Sequence, residues 1–127
     1  MNVIDSSAWL EYFGDGPNAS AFSRPIEHLD ELLVPSITLL EVFRVVARKR
    51  GEVQALHAVM TMQQGKVIDL DAGLAVSAAK ICVEAKLPLA DAVVLATARA
   101  HDATLWTQDA DFKGMPGVEY RKPQKGV

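Results

Sequence analysis

Four carboxylates stand at points of this chain where a side chain can do chemistry: Asp5, Glu41, Asp91 and Asp109. Asp5 follows the β-branched pair Val3-Ile4 and is followed by two hydroxyls, Ser6 and Ser7. Asp109 lies within Thr107-Gln108-Asp109-Ala110-Asp111-Phe112, where a hydroxyl and two carboxylates fall within five residues. Glu41 interrupts an otherwise apolar stretch, and Asp91 closes Leu87-Pro88-Leu89-Ala90-Asp91 at a helix start. Carboxylates brought together unpaired repel and raise one another's pKa. A divalent cation that prefers oxygen removes that conflict, and Mg²⁺, with Mn²⁺ as a substitute, suits such a set. A cation held there acidifies a water for in-line attack on a phosphodiester and neutralises the leaving oxygen. No His or Lys base is then required, and His28, His57 and His101 show no metal-ligand spacing. Ser7 and Thr107 are placed to orient a ligand carboxylate, a water or a phosphate.

Three of these acids also have an ordinary structural use. Asp5 or Ser6 can cap the helix that follows. Glu41 can pair on the surface with Arg44 at i+3, worth a few tenths of a kcal/mol. An acid in the first turn of a helix, such as Asp91, is favoured by the dipole, which depresses its pKa. Chemistry requires that the fold bring these residues together.

Short β-branched runs alternate with helical periodicity throughout, which predicts a mostly parallel sheet of four to five strands with helices on both faces. The strands fall at residues 2–4, Leu32–Pro35, Lys66–Leu70, Ala103–Trp106 and Val118–Tyr120. A first helix runs over Ala8–Phe13, followed by a Gly- and Pro-rich loop at 14–18. A second helix spans Ala19 to about Leu29, with Arg24-Pro25 placed to break or restart it. Ser36 is expected to cap a helix from Ile37 to Arg50, closed by Gly51. The next helix, Glu52–Gln64, carries Val53, Leu56, Val59 and Met60 on one face, its methionines read as packing. Asp71 caps a helix on which Leu74, Ala78, Ile81, Cys82 and Ala85 recur. Ala92, Ala96, Ala98 and Ala100 let the helix ending near His101 approach the sheet closely, so its N-terminus must lie near the strand ends. In such sheets ligands bind beyond the carboxyl ends of the strands, at the switch point beside the first strand. Asp5 and Asp109 both sit there.

The chain has 127 residues, half of them apolar, which suits one domain: residues 1–120 with a mobile tail over 121–127. The apolar runs fall short of the ~20 residues a membrane span needs, and no basic segment leads into a signal-peptide core, so a cytoplasmic protein is expected. One cysteine, Cys82, excludes an internal disulfide and reads as core. A net charge of −3 argues against a passive nucleic-acid binder but not against a nuclease that carries cations over its acids. Arg44, Arg48 and Lys49 form a local basic cluster with Arg50, a candidate RNA contact or simply a solvated helix end.

With these residues placed, the chain resembles the PIN-domain ribonucleases, and within them the short VapC-type toxins of toxin–antitoxin pairs. The likeness rests on Val3-Ile4-Asp5-Ser6-Ser7-Ala8-Trp9, Pro35-Ser36-Ile37 leading to Leu40-Glu41-Val42, Leu89-Ala90-Asp91-Ala92, and Leu105-Trp106-Thr107-Gln108-Asp109-Ala110-Asp111-Phe112. These four pieces occur in family order and spacing across nearly the whole chain. The resemblance implies a three-layer α/β/α fold and Asp5, Glu41, Asp91 and Asp109 as Mg²⁺-binding catalytic acids. It implies Asp111 as an auxiliary acid, with Ser7 and Thr107 at the family's hydroxyl positions. It further implies a homodimer, an antitoxin partner that blocks the site, and cleavage of structured RNA such as transfer or ribosomal RNA.

Two other readings are open. A receiver domain of a response regulator shares the size, the N-terminal acid and a late Lys-Pro, here Lys122-Pro123. It needs an acidic pair after the first strand and a phospho-accepting Asp near the middle. Here Ser6-Ser7 and Gly51-Glu52-Val53 stand in those places. A non-catalytic module binding RNA or a partner through the basic cluster is the other.

Overall fold

The computed structural model describes residues 1–125, over which the β-branched runs become five strands and the periodic segments six helices. In chain order these are β1 (Asn2–Ile4), α1 (Ser6–Phe13), α2 (Ala19–Glu27), β2 (Leu32–Pro35), α3 (Ser36–Arg50) and α4 (Glu52–Met62). The order continues with β3 (Lys66–Ile68), α5 (Ala72–Ala85), α6 (Leu89–Ala100), β4 (Thr104–Thr107) and β5 (Val118–Tyr120). The strands pair in the order β3-β2-β1-β4-β5, every pair parallel, so the sheet is wholly rather than mostly parallel.

Period-two alternation divides the strand side chains between two cores. Val3, Leu33 and Leu105 face a layer built on α5 and α6, where Leu74, Ala78, Ile81, Ala92 and Leu95 are buried. Ile4, Leu32 and Val34 face the opposite layer, with Trp9 and Ala8 of α1, Phe22 of α2, Val42 of α3 and Met62 of α4. Helix α3 touches both: Ile37 packs against the first core, Leu39 and Val46 against the second. The sheet is thus the middle of three layers, and α3 brings Glu41 to the end of it.

Several local expectations change. Ser36 does not cap α3; it is the first helical residue, Pro35 holds the cap position, and the Thr38 hydroxyl donates to the Pro35 carbonyl at 2.7 Å. Helix α2 runs through Pro25 without a break, and a single 3₁₀ turn at Leu29–Glu31 leads into β2. The largest revision is to α4, whose expected packing face is mostly turned outward, with Val59 alone still packed against the core. Val53 and Met60 are each 66% exposed, and α4 instead buries Ala55, Ala58 and Met62. Small residues allow α4 to lie close against α3, and that closeness outweighs the burial of larger side chains. Ala85 and Ala100, both expected to pack, are exposed at helix ends. Cys82 is half-buried and joins the α5–α6 core, and Asp71 caps α5 by accepting from the Leu74 N–H at 2.8 Å. No helix among the described residues is long and apolar enough to cross a membrane.

The C-terminal segment is held where it leaves β5. The Arg121 N–H donates to the Thr107 carbonyl at 2.9 Å, and the Lys122 carbonyl accepts from the Asn18 side chain at 3.0 Å. Residues 126 and 127 of the expected tail lie outside the described residues.

Candidate active site

The strand order reverses beside β1: the chain moves outward through β2 and β3, then returns to β1's other side with β4. That reversal opens a crevice beyond the carboxyl ends of β1 and β4. The register pairs Ile4 with Trp106, which sets Asp5 across from Thr107, and the Asp5 N–H donates to the Trp106 carbonyl at 2.9 Å.

Asp5 is only 2% exposed, and its hydrogen bonds converge on one oxygen. Oδ2 accepts from the Ser7 hydroxyl at 2.7 Å, the Thr107 hydroxyl at 2.9 Å and, at 3.4 Å, the Ser7 N–H. Each hydroxyl in turn accepts a backbone donor from the chain leaving β4. Ser7 Oγ receives the Gln108 N–H at 3.2 Å, and Thr107 Oγ1 receives the Asp109 N–H at 2.9 Å. A hydroxyl has one proton to give. Both protons go to Asp5, so the 3.3 Å approach of the two hydroxyls to each other is a by-product of their shared acceptor. Oδ1 of Asp5 carries none of these bonds. Burial pushes the Asp5 pKa up, while the two hydroxyls oppose that rise. Asp5 thus caps α1 with its side chain while it lies just beyond the carboxyl end of β1.

Asp109 ends the same wiring. Its carboxylate accepts the Asp111 N–H at 2.9 Å, which starts the one-turn 3₁₀ helix over Ala110–Phe112. Phe112 is fully buried in the α5–α6 core and anchors that turn. Asp91 enters from α6, in the first turn as expected. The dipole was expected to depress its pKa, but the opposite holds: its pKa is raised to about 7. Burial is the largest cause, followed by the negative charges of Asp5, Asp109, Glu41 and Asp111. Four neighbouring carboxylates and desolvation outweigh one helix end.

Glu41 is half-buried rather than paired on the surface. Its Oε1 is buried without a hydrogen-bond partner, and its pKa is raised by burial and by Asp5, against the pull of Ser6 and Arg44. Arg44 itself is exposed one turn along α3. Asp91, Asp109 and Asp111 each offer an oxygen within 4.8 Å of the other two. Asp111, read from the sequence as auxiliary, thus stands in the tightest group. Arg44 and Arg48 continue from Glu41 along one face of α3, whereas Lys49 lines a separate groove of about 290 Å³ between α1, α3 and α4.

The sequence reading overlooked Asn18. It treated 14–18 only as a loop, yet Asn18 is buried and bonds Gln108, between Thr107 and Asp109. A loop asparagine carries no sequence signal that tells a buried tether from an exposed turn. The receiver-like alternative fails on geometry, because Gly51-Glu52 joins α3 to α4 rather than ending a strand.

A wholly parallel α/β/α sheet with acids gathered at its switch point places the candidate site where folds of this class bind their ligands. The sequence matches the PIN domain family over residues 3–118, and the chain belongs to that family. Solved structures share its fold. The chain is similar, at 24% identity and a TM-score of 0.83, to a chain of a toxin–antitoxin complex from Klebsiella pneumoniae, covering 98% of this chain and 100% of that one. It is similar at 19% identity and a TM-score of 0.80 to Mycobacterium tuberculosis VapC20, a sarcin-ricin loop cleaving toxin, covering 95% and 99% respectively. VapBC2 from Rickettsia felis, bound to a DNA fragment of its promoter, aligns at 18% identity and a TM-score of 0.74, covering 94% and 96%. Among curated proteins, none gives a significant match.

Proposed function

We propose that this chain is a VapC-type toxin: a Mg²⁺-dependent endoribonuclease acting on structured RNA in the cytoplasm, its nuclease domain spanning residues 1–120. The observation that carries this reading is the convergence of Asp5, Glu41, Asp91 and Asp109 at the switch point, with Glu41 Oε1 buried and unpartnered. An orphaned buried carboxylate oxygen costs free energy that a cation would recover. The all-oxygen donor set suits Mg²⁺ or Mn²⁺ rather than a softer metal. Asp91, Asp109 and Asp111 would hold the ion at closest range, with Asp5 and Glu41 completing the negative wall. When bound, such an ion acidifies water and neutralises charge on the departing oxygen.

The chain's own residues do the rest. Asp5 keeps Oδ1 clear because Ser7 and Thr107 hold Oδ2. The carboxylates of the pocket orient the attacking water and take up its proton. Arg44 and Arg48 form a cationic ridge leading to Glu41, suited to RNA phosphates flanking the cut.

The toxin reading brings an antitoxin and a homodimer. The groove lined by Leu10, Phe13, Val45, Val46 and Ala58, with Lys49 and Arg50 beside them, suits an apolar segment bearing acids. Val76 and Val83 leave α5 with an exposed apolar stripe suited to a second copy.

Cleavage of total cellular RNA by purified protein, with Mg²⁺ and with EDTA, tests the activity. Asp91→Asn purified identically exposes contaminating ribonuclease. Discrete fragments that need both Mg²⁺ and Asp91 are expected. Cleavage that both proteins show equally is contaminating ribonuclease, whereas fragments that need Asp91 yet form as well in EDTA as in Mg²⁺ would overturn the metal-dependent reading.

A further inference from the structure

Asn18 lies at the turn between α1 and α2, far in sequence from Asp109 and Asp111, and is only 5% exposed. A buried carboxamide must place its two amide protons. Nδ2 donates to Gln108 Oε1 and to the Lys122 carbonyl, both at 3.0 Å, so neither proton is left over. The turn is built to hold it: the Asn18 N–H donates to Glu11 Oε2 at 2.7 Å, and Gly16 lies so close to that carboxylate that any side chain there would displace it. Gln108 is the residue between Thr107 and Asp109. Its N–H goes to Ser7 Oγ while its side-chain oxygen is taken by Asn18. The chain leaving β4 is therefore held from two elements, by the Ser7 and Thr107 hydroxyls and by the α1–α2 turn.

We propose that Asn18 is a positioning residue that acts through Gln108 to fix the loop presenting Asp109 and Asp111 to the acid pocket. The same amide joins the segment after β5 to this body, so three parts of the chain share one anchor. Asparagine is needed for its donors: aspartate has the same shape, but has no proton for the Lys122 carbonyl. The consequence for metal binding rests on the nuclease reading; the tether itself does not.

The test uses the whole protein, with Mn²⁺ affinity from electron paramagnetic resonance titration and melting temperature measured together. Gln108→Ala cuts the tether while keeping the backbone bonds of residue 108, and Asn18→Ala also frees the Lys122 carbonyl. Each is expected to weaken Mn²⁺ about tenfold, in the range for groups that orient metal ligands. The double variant should be no weaker than the worse single one, because both act on one link. Asn18→Ala should also melt lower than Gln108→Ala. Mn²⁺ affinity within twofold of wild type in Gln108→Ala would overturn the proposal, as would additive losses in the double variant. A purely structural Asn18 would lower the melting temperature and leave Mn²⁺ affinity alone. Wild type that binds Mn²⁺ while leaving every RNA intact would overturn the nuclease reading and not the tether.

Discussion

The two halves of the acid pocket are built in opposite ways. On the strand side, Asp5 and Asp109 sit in a closed hydrogen-bond circuit with Ser7, Thr107 and two backbone donors. On the helix side, Glu41 is held by the packing of α3, with one buried oxygen unpartnered, and Asp91 is pushed up to about 7 by burial and its neighbours. The first half is fixed by hydrogen bonds that hold Asp5 Oδ2 and leave Oδ1 clear; the second is placed by helix packing alone. The difference locates where metal binding should be felt.

The largest expected effect lies on the reaction. Asp5→Asn, Asp91→Asn and Asp109→Asn should each lower RNA cleavage at least about a hundredfold, a few kcal/mol of transition-state stabilisation. Fragment yield against time, with far-ultraviolet circular dichroism to check the fold, measures this. Equal cleavage by any variant would take that acid out of the mechanism. Next comes the wired half. Thr107→Val leaves the Asp109 N–H unpartnered and takes a donor from Asp5, so urea unfolding should show a loss of about 1–3 kcal/mol. A neutral result would mean that the circuit is not holding the strand side.

The helix half should give a pH signature. The folded pKa of Asp91 is about 7, above its unfolded value of about 3.9, so the folded state binds more protons between those values. The contribution of Asp91 to the stability of the metal-free protein then falls as pH rises from about 4 to 7. Asp91→Asn should flatten that fall, and thermal melts in EDTA across this range would check it. The smallest effect is at the ridge: Arg44→Ala with Arg48→Ala should weaken RNA binding several-fold and lower the salt slope by about one per lost phosphate contact. An unchanged slope would return these residues to a solvated helix end.

How far the chain could be read in advance follows from what each residue depends on. Strand positions, the five-strand alternation and the placing of Asp5 and Asp109 past strand ends were legible, because period-two burial and turn residues are local. The outward turn of Val53, Leu56 and Met60 was not, since the choice of α4's packing face depends on how closely Ala55 and Ala58 let it approach α3. Asp91's location at the first turn of α6 was legible, but its protonation was not: a local dipole argument omits four carboxylates brought in from elsewhere in the chain. Asn18 shows the same limit, because its partners lie 90 and 104 residues away.

The most direct measurement is the melting temperature of wild type and Asp91→Asn at pH 8, each with EDTA and with Mg²⁺. With EDTA the variant should melt above wild type, because one of the crowded charges is gone. Mg²⁺ should then raise wild type strongly and the variant little, as binding to the folded state alone adds about 2.7 kcal/mol at a hundredfold excess over Kd. A metal-free variant that melts below wild type, with Mg²⁺ raising both equally, would contradict a helix side left waiting for a cation.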